Sequence, residues 1–231
     1  MSGSLVVLTG AGISAESGLA TFRDAGGLWE GHRPEEVATP EAFARNPDMV
    51  HRFYNARRAA AREARPNAAH RALAELQERL GARMLLVTQN VDALHEAAGH
   101  GGVVHMHGAL DGAACGACEA RWPAPEVMAT DDPCPSCGAP ATRPDIVWFG
   151  EIPREMDRIY AALAEASVFA AIGTSGLVYP AAGFVEVAAG HGARCHEINI
   201  AASGNPWFET LYDGPATEAV PRWCAEVAGL L

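Results

Sequence analysis

Four groups of residues able to do chemistry follow one another along this chain. Gly10-Ala11-Gly12-Ile13-Ser14-Ala15 comes directly after the apolar run Leu5-Val6-Val7-Leu8. Glycines at the end of a buried strand allow a tight turn and close approach of a phosphate to the free N–H groups of a following helix. Thr88-Gln89-Asn90-Val91-Asp92 follows a second apolar run, and its amides and carboxylate can hold an amide or a ribose. In His105-Met106-His107-Gly108, His107 stands at a strand end before a glycine, as a candidate general base near neutral pH. Cys115, Cys118, Cys134 and Cys137 form two Cys-x-x-Cys pairs 15 residues apart, which is zinc-ribbon spacing. Four thiolates close a tetrahedral site, so the expected metal is structural.

Each group also has an ordinary structural use. A glycine turn can join strand to helix with no ligand. Asn90 and Asp92 suit capping of a helix near residue 92. Nine histidines leave room for structural ones, and four cysteines can make two disulfides. Tyr54 and Arg57 share a helix face at i, i+3 and can bind a carboxylate, or they can belong to a solvated face with Arg52, Arg58 and Arg62. Hydride-transfer enzymes place an acid on a second strand about 20 residues beyond the glycines. Glu30 stands at that count but lies in the Gly- and Pro-rich stretch 20–40, which reads as a long loop. The pattern predicts nucleotide binding without the hydride-transfer layout.

Composition narrows the chemistry further. The 231 residues fit one large domain or a large domain with a small insert, and 49% are hydrophobic, enough for a sizeable core. The net charge of −11 argues against nucleic acid as a partner. All 17 basic residues are arginine, which excludes a P-loop lysine, a Schiff-base lysine and a Ser-Lys dyad. No run approaches the ~20 apolar residues of a membrane span, and the N-terminus has no leader pattern. A cytoplasmic protein, away from membranes and most simply a monomer, is expected.

The elements that must position these residues alternate. Strands are expected at 4–10, 84–88, 103–105, 168–173 and 194–199. Helices are expected at 13–19, 41–64, 67–80, 92–99, 155–166, 181–190 and 216–230. This predicts an α/β fold, a Rossmann-like parallel sheet with helices on both faces, plus a small inserted zinc-ribbon domain. The expected division is a nucleotide-binding domain of 1–108 and 146–231, with a helical insert at about 30–65, and a small zinc-binding module of 109–145. Every polar cluster then falls at a strand's carboxyl end, where ligands of such sheets bind.

Taken together, these residues resemble the sirtuin family, the NAD-dependent protein lysine deacylases. The resemblance is carried by Gly10 to Gly18, Thr21-Phe22-Arg23, Gln89-Asn90-Val91-Asp92, His107-Gly108, the four cysteines, Val147-Trp148-Phe149-Gly150-Glu151, Gly173-Thr174-Ser175 and Asn199. Tyr54-x-x-Arg57, with the small residue Ala38, is similar to the bacterial desuccinylase type, which retains deacetylase activity.

The resemblance implies NAD as co-substrate and one structural zinc on Cys115, Cys118, Cys134 and Cys137. NAD contacts are implied for Gly10, Ala11, Gly12, Ile13, Ser14, Glu16, Thr21, Phe22, Arg23, Gln89, Asn90, Asp92, Gly173, Thr174, Ser175, Asn199 and Ala216. An acylated lysine of another protein would meet Ala38, Tyr54, Arg57, Val147, Phe149, Gly150, Gly176 and Val178. The acyl oxygen would attack the ribose carbon and expel nicotinamide. His107 would act as base on the ribose hydroxyls, giving free lysine and O-acyl-ADP-ribose. Succinyl, malonyl and acetyl groups are all expected substrates. Rival readings are a protein ADP-ribosyltransferase and a non-catalytic NAD-sensing zinc-ribbon protein.

Overall fold

A computed structural model describes residues 3–20, 31–229 and 231. Thr21, Phe22, Arg23, Glu30 and the rest of 21–30 lie outside the described residues. Strands and helices are numbered in chain order.

Six strands form one parallel sheet: β1 (Leu5–Thr9), β2 (Met84–Thr88), β3 (Val104–His105), β7 (Val168–Ile172), β8 (Arg194–Asn199) and β9 (Thr210–Asp213). Their spatial order is β3-β2-β1-β7-β8-β9. All pairs are parallel, with Thr9 facing Thr88 on one side and Ile172 on the other. From β1 the chain therefore builds outward in both directions, and the order reverses between β1 and β7. Ligands of such sheets bind outside the carboxyl ends of the strands near this reversal.

β1 shows why the sheet is covered twice. Its side chains alternate, as in any strand. Leu5 and Val7 join a core with Leu73, Leu76 and Leu80 of α4 (Ala68–Leu80) and Val220, Trp223 and Val227 of α8 (Ala216–Val227). Val6 and Leu8 join the opposite core, with Ile159 and Leu163 of α6 (Met156–Glu165) and Phe184, Val185 and Ala188 of α7 (Phe184–Gly190).

A second, antiparallel sheet has the order β5-β4-β6, from β4 (Gly108–Cys115), β5 (Arg121–Pro123) and β6 (Thr142–Ile146). The helical insert comprises α1 (Pro34–Val37), α2 (Pro40–Arg45) and α3 (Pro47–Glu63). A third core fastens this insert to the small sheet, through Val37, Ala38, Val50 and Tyr54 on one side and Leu110, Ile146 and Trp148 on the other.

Four expectations need correction. Residues 13–19 are not an α-helix but two short 3-10 turns, Ala11–Ile13 and Ala15–Ser17, closed by Gly18 at φ +88°. Within 20–40, Pro34–Val37 is helical, started by proline and by Glu36 accepting from the Arg33 N–H at 3.0 Å. The helix expected at 41–64 is broken at Asn46, whose side chain accepts the Met49 N–H while Pro47 starts α3. β9 carries no apolar run; it is an exposed edge strand held by pairing with β8, which leaves little pattern in sequence.

Candidate active site

The turn after β1 and the turn after β7 are locked together at the switch point. Gly10 N–H donates to Ile172 O at 2.9 Å, and Gly12 N–H donates to Gly173 O at 2.8 Å. A Cβ on Gly12 would stand 2.7 Å from Gly173 Cα, and Gly173 itself has φ +59°. The glycines thus let two backbones touch. The expected helix N-terminus aimed at a phosphate is absent, and the Gly12 N–H is already bonded within the protein.

Around this lock lies a polar network. Asn90 Nδ2 donates to Gly10 O at 3.1 Å and to Ser14 Oγ at 3.2 Å, and Ser14 Oγ donates to Asp92 Oδ2 at 3.1 Å. Gln89 Nε2 donates to Thr174 Oγ1 at 3.0 Å, and Asn199 Nδ2 to Thr174 O at 2.9 Å. Asp92 does not cap α5 (Leu94–Ala97), whose N-cap is Ala93, although its carboxylate accepts the Leu94 N–H at 3.1 Å from one residue earlier. Nor does Asn90, whose amide holds the glycine turn. Burial pushes the Asp92 carboxyl up, against the Leu94 and Ser14 hydrogen bonds.

The two neighbouring histidines are set apart by their surroundings. His105 bonds the Asn90 carbonyl through Nδ1 and Glu96 through Nε2, at 3.1 and 2.8 Å. Burial disfavours its charge, but Glu96 prevails and its pKa is raised. Both of its nitrogens are occupied, so it is a structural histidine. His107 bonds only the Gln89 carbonyl among the described residues, through Nδ1 at 3.2 Å. A carbonyl only accepts, so Nδ1 carries the proton and Nε2 keeps its lone pair. Burial lowers the His107 pKa, partly opposed by the Gln89 bond. The ring is therefore neutral near pH 7, as a base requires. Gly108, at φ +81°, lets β4 turn away, since a Cβ there would fall 2.0 Å from Asp145 O.

The segment Val147–Phe149 lines the same end of the molecule. Val147 N–H donates to His107 O and Phe149 N–H to Ala38 O, each at 2.9 Å. Trp148 Nε1 donates to the Tyr54 hydroxyl at 3.0 Å. Tyr54 and Arg57 are buried on α3, which overturns the solvated-face alternative for this pair. Burial raises the Tyr54 pKa above its usual value, so the phenol is protonated. No hydrogen bond among the described residues joins Val147–Gly150 to Gly176–Val178. Ser175 Oγ accepts the Leu177 N–H, and Val178 O the Ala182 N–H. Glu16 holds both Thr217 N–H and Thr217 Oγ, next to Ala216 at the start of α8.

Three supports escape a reading of the sequence. Arg143 grips Glu151 at 2.7 and 3.0 Å and lies 3.7 Å over the Trp148 ring, while Glu151 accepts the Trp148 N–H. His70 is fully buried, with Nδ1 on Asn67 and Nε2 3.5 Å from Ser14 Oγ. His95, edge-on to His70, bonds Thr9 Oγ1 at 3.0 Å. Only the Asn67-x-x-His70 spacing, a capping-box pattern at the start of α4, hinted at one of them.

These histidines make a pH prediction. Burial, with Arg71 adding, lowers the His70 pKa to about 4 from 6.5. The unfolded chain takes up this proton first, so stability present above pH 6.5 is lost as pH falls from 6.5 towards 4. At pH 5.5 His70 alone is expected to cost about 1.4 kcal/mol. Urea unfolding at pH 7.5 and 5.5 measures the loss, which should shrink in His70→Asn; an unchanged loss would assign it to other groups.

The four Sγ atoms lie within 4.8 Å of one another, with Cys115–Cys137 and Cys118–Cys134 at 3.7 Å. That is far beyond a disulfide bond. It matches the ~3.8 Å edge of a tetrahedron with metal–sulfur distances of ~2.3 Å. All four cysteines are free thiols, which sets aside the disulfide alternative. The set fits zinc, and among the described residues no further His, Cys, Asp or Glu joins the group.

Known proteins are similar to this chain in sequence and in fold. The Sir2 family profile matches residues 10–180. The NAD-dependent protein deacylase of Bdellovibrio bacteriovorus is 53% identical over 227 residues, 96% of each chain. That of Caulobacter vibrioides is 54% identical over 222 residues, 94% of this chain and 93% of the relative. A solved Sir2 homolog–NAD complex superposes with a TM-score of 0.88 at 39% identity, covering 98% of this chain and 90% of that one. Sequence match and superposition both run through the glycine lock, the His107 strand end and the cysteine sheet, and on these grounds the chain belongs to the Sir2 family.

Proposed function

We propose that this chain is an NAD-dependent protein lysine deacylase acting on acetyl groups and on acidic acyl groups such as succinyl and malonyl. The observation that carries the reading is the Val147–Phe149 segment, whose three consecutive residues bond the candidate base, the candidate acyl-selecting tyrosine and Ala38. A peptide laid along it would bring its acyl-lysine to both ends of the chemistry.

The donor set suits NAD. The amides of Gln89, Asn90 and Asn199, the hydroxyls of Ser14, Thr174 and Ser175 and the Asp92 carboxylate match a carboxamide, ribose hydroxyls and phosphates. When bound, NAD supplies the ribose carbon that receives the acyl oxygen as nicotinamide leaves. His107 takes a ribose hydroxyl proton at Nε2. Asn90, by holding Gly10 O and Ser14, keeps the glycine turn and the Asp92 pocket in one piece. Water completes the balance: acyl-lysine, NAD and water give lysine, nicotinamide and O-acyl-ADP-ribose. The cysteine module holds zinc as a staple and takes no part in the chemistry. A zinc site of four thiolates suits a reducing compartment, hence the cytoplasm. No helix among the described residues is long and apolar enough to cross a membrane.

The test is nicotinamide release with NAD and matched acetyl-lysine and succinyl-lysine peptides. Both peptides are expected to drive release. Arg57→Met is expected to lower kcat/KM for the succinyl peptide by about 10- to 100-fold, the worth of one hydrogen bond to a charged group, and for the acetyl peptide by less than about threefold. Equal losses on both peptides would remove Arg57 as the acyl selector. Silence with both would favour the transferase or sensor readings.

A further inference from the structure

Helix α3 carries two stripes. Val50 and Tyr54 lie on the one that packs with Ala38 and Trp148. The other is Asp48, His51, Asn55, Arg58 and Arg62, spaced three, four, three and four residues apart, and it faces the cysteine module. Asp48 accepts the Thr130 hydroxyl. His51 is buried within electrostatic reach of Asp132. Asn55 Nδ2 donates to Met128 O at 2.9 Å, and Asn55 Oδ1 accepts the Met128 N–H at 3.0 Å, the pair of bonds a neighbouring strand would make. Arg58, 2% exposed, donates from Nε to Leu110 O at 2.7 Å, and from Nη1 to Asn55 Oδ1 at 2.8 Å and Glu126 O at 3.5 Å. Arg62 adds a solvent-exposed ion pair with Glu126 at 3.5 Å.

Residues 126–132 lie in the connection between the two cysteine pairs, and Leu110 lies on β4, three residues past His107. Asn55 directly follows Tyr54, and Arg58 directly follows Arg57. In a helix, neighbours move as one body. A shift of α3 along or about its axis would break the clamp and displace the acyl-selecting pair by the same amount. An acidic acyl group needs directed, charge-assisted hydrogen bonds, whose strength falls off steeply with misplacement, whereas an acetyl methyl needs only space.

We propose that Asn55 and Arg58 are positioning residues for acyl selectivity, clamping α3 to the cysteine module so that Tyr54 and Arg57 meet the acidic acyl group in register. The inference rests on the reading of Tyr54 and Arg57 as the acyl selector. It makes the loop between the cysteine pairs part of the specificity apparatus.

The test uses the full-length, zinc-loaded protein with saturating NAD. kcat and KM are measured for acetyl- and succinyl-lysine peptides in Asn55→Ala, Arg58→Lys, Arg57→Met and the Asn55→Ala/Arg57→Met double variant, beside zinc content and Tm. Asn55→Ala is expected to raise KM for the succinyl peptide by about tenfold, a misplacement effect, and to leave KM for the acetyl peptide within about twofold, with zinc still at one equivalent. Arg58→Lys, a point donor in place of a fork, falls between wild type and Asn55→Ala. In the Arg57→Met background Asn55→Ala should change selectivity no further. Should Asn55→Ala fold poorly, Asn55→Asp, which keeps the acceptor for Met128 N–H and loses the donor to Met128 O, carries the same comparison. Parallel losses on both peptides, or an undiminished effect of Asn55→Ala in the Arg57→Met background, overturns the inference. If Arg57→Met leaves the peptide ratio unchanged, the selector reading itself has failed, and the inference falls with it.

Discussion

His107→Ala is expected to lower the rate of lysine product formation by about 10²- to 10⁴-fold, the usual worth of a positioned general base. The protein should still fold and bind NAD. The ring is only partly buried and makes one hydrogen bond, to the Gln89 carbonyl, among the described residues. Loss of that bond costs about 1 kcal/mol, small against the stability of a domain of this size. His105→Ala should behave in the opposite way: it breaks the contacts to Asn90 O and Glu96, so stability falls more than chemistry does. The pH profile supplies an independent check. His107 acts in its neutral form and its pKa is lowered by burial, so the acid limb of kcat/KM should inflect below pH 6.5. Near-wild-type product formation by a folded, NAD-binding His107→Ala protein would take this residue out of the mechanism.

Extraction of the zinc proposed for the cysteine site is expected to have the largest effect on stability. β5 is three residues long and largely exposed, and Met128 is the one apolar side chain of its size buried between the two cysteine pairs. So small a sheet cannot hold itself together by burial and needs a staple. Structural zinc sites contribute on the order of 10 kcal/mol to the folding of small modules at neutral pH. The consequences reach further here, because Leu110 and Ile146 of the small sheet share a core with Tyr54 and Trp148. A strong chelator, or Cys134→Ser, should lower Tm by about 10 °C or more, and stoichiometric zinc should restore it only in the chelated wild type. Calorimetry with a parallel zinc assay decides the matter. Removal of one equivalent of zinc with Tm held within about 2 °C would mean that the module is held by something else.

Much of this protein was legible in its residues. Apolar runs such as Leu5–Leu8 and Val168–Ile172 announced buried strands, because a parallel sheet covered on both faces needs apolar side chains on both sides. Their alternation with helices implied the doubly wound sheet, and the cysteine spacing implied the metal site. These are local signals, each contained in a short window. The elements that went unread lacked such a window. β9 is a strand because β8 offers it an edge, and the short 3-10 turns replace a helix because Gly12 is held against Gly173, 161 positions away.

The resemblance that the motifs carry implied NAD-dependent deacylation, and with it roles for His107, Tyr54 and Arg57. Tertiary structure separated two nearby histidines, since Glu96 and Asn90 occupy His105 while His107 Nε2 has no hydrogen-bond partner among the described residues. It decided that Tyr54 and Arg57 are buried beside Trp148 instead of facing water, which helical spacing alone leaves open. It also supplied the supports: Arg143 on Trp148, His70 behind Ser14, and the Asn55–Arg58 clamp on the cysteine module. Their partners lie tens of residues away in most cases, and residue type at one position says little about what the fold brings against it. Sequence determined the chemistry this chain can perform; packing decided which copies of each side chain are placed to perform it, because burial and hydrogen-bond occupancy, not residue type, set charge state and orientation.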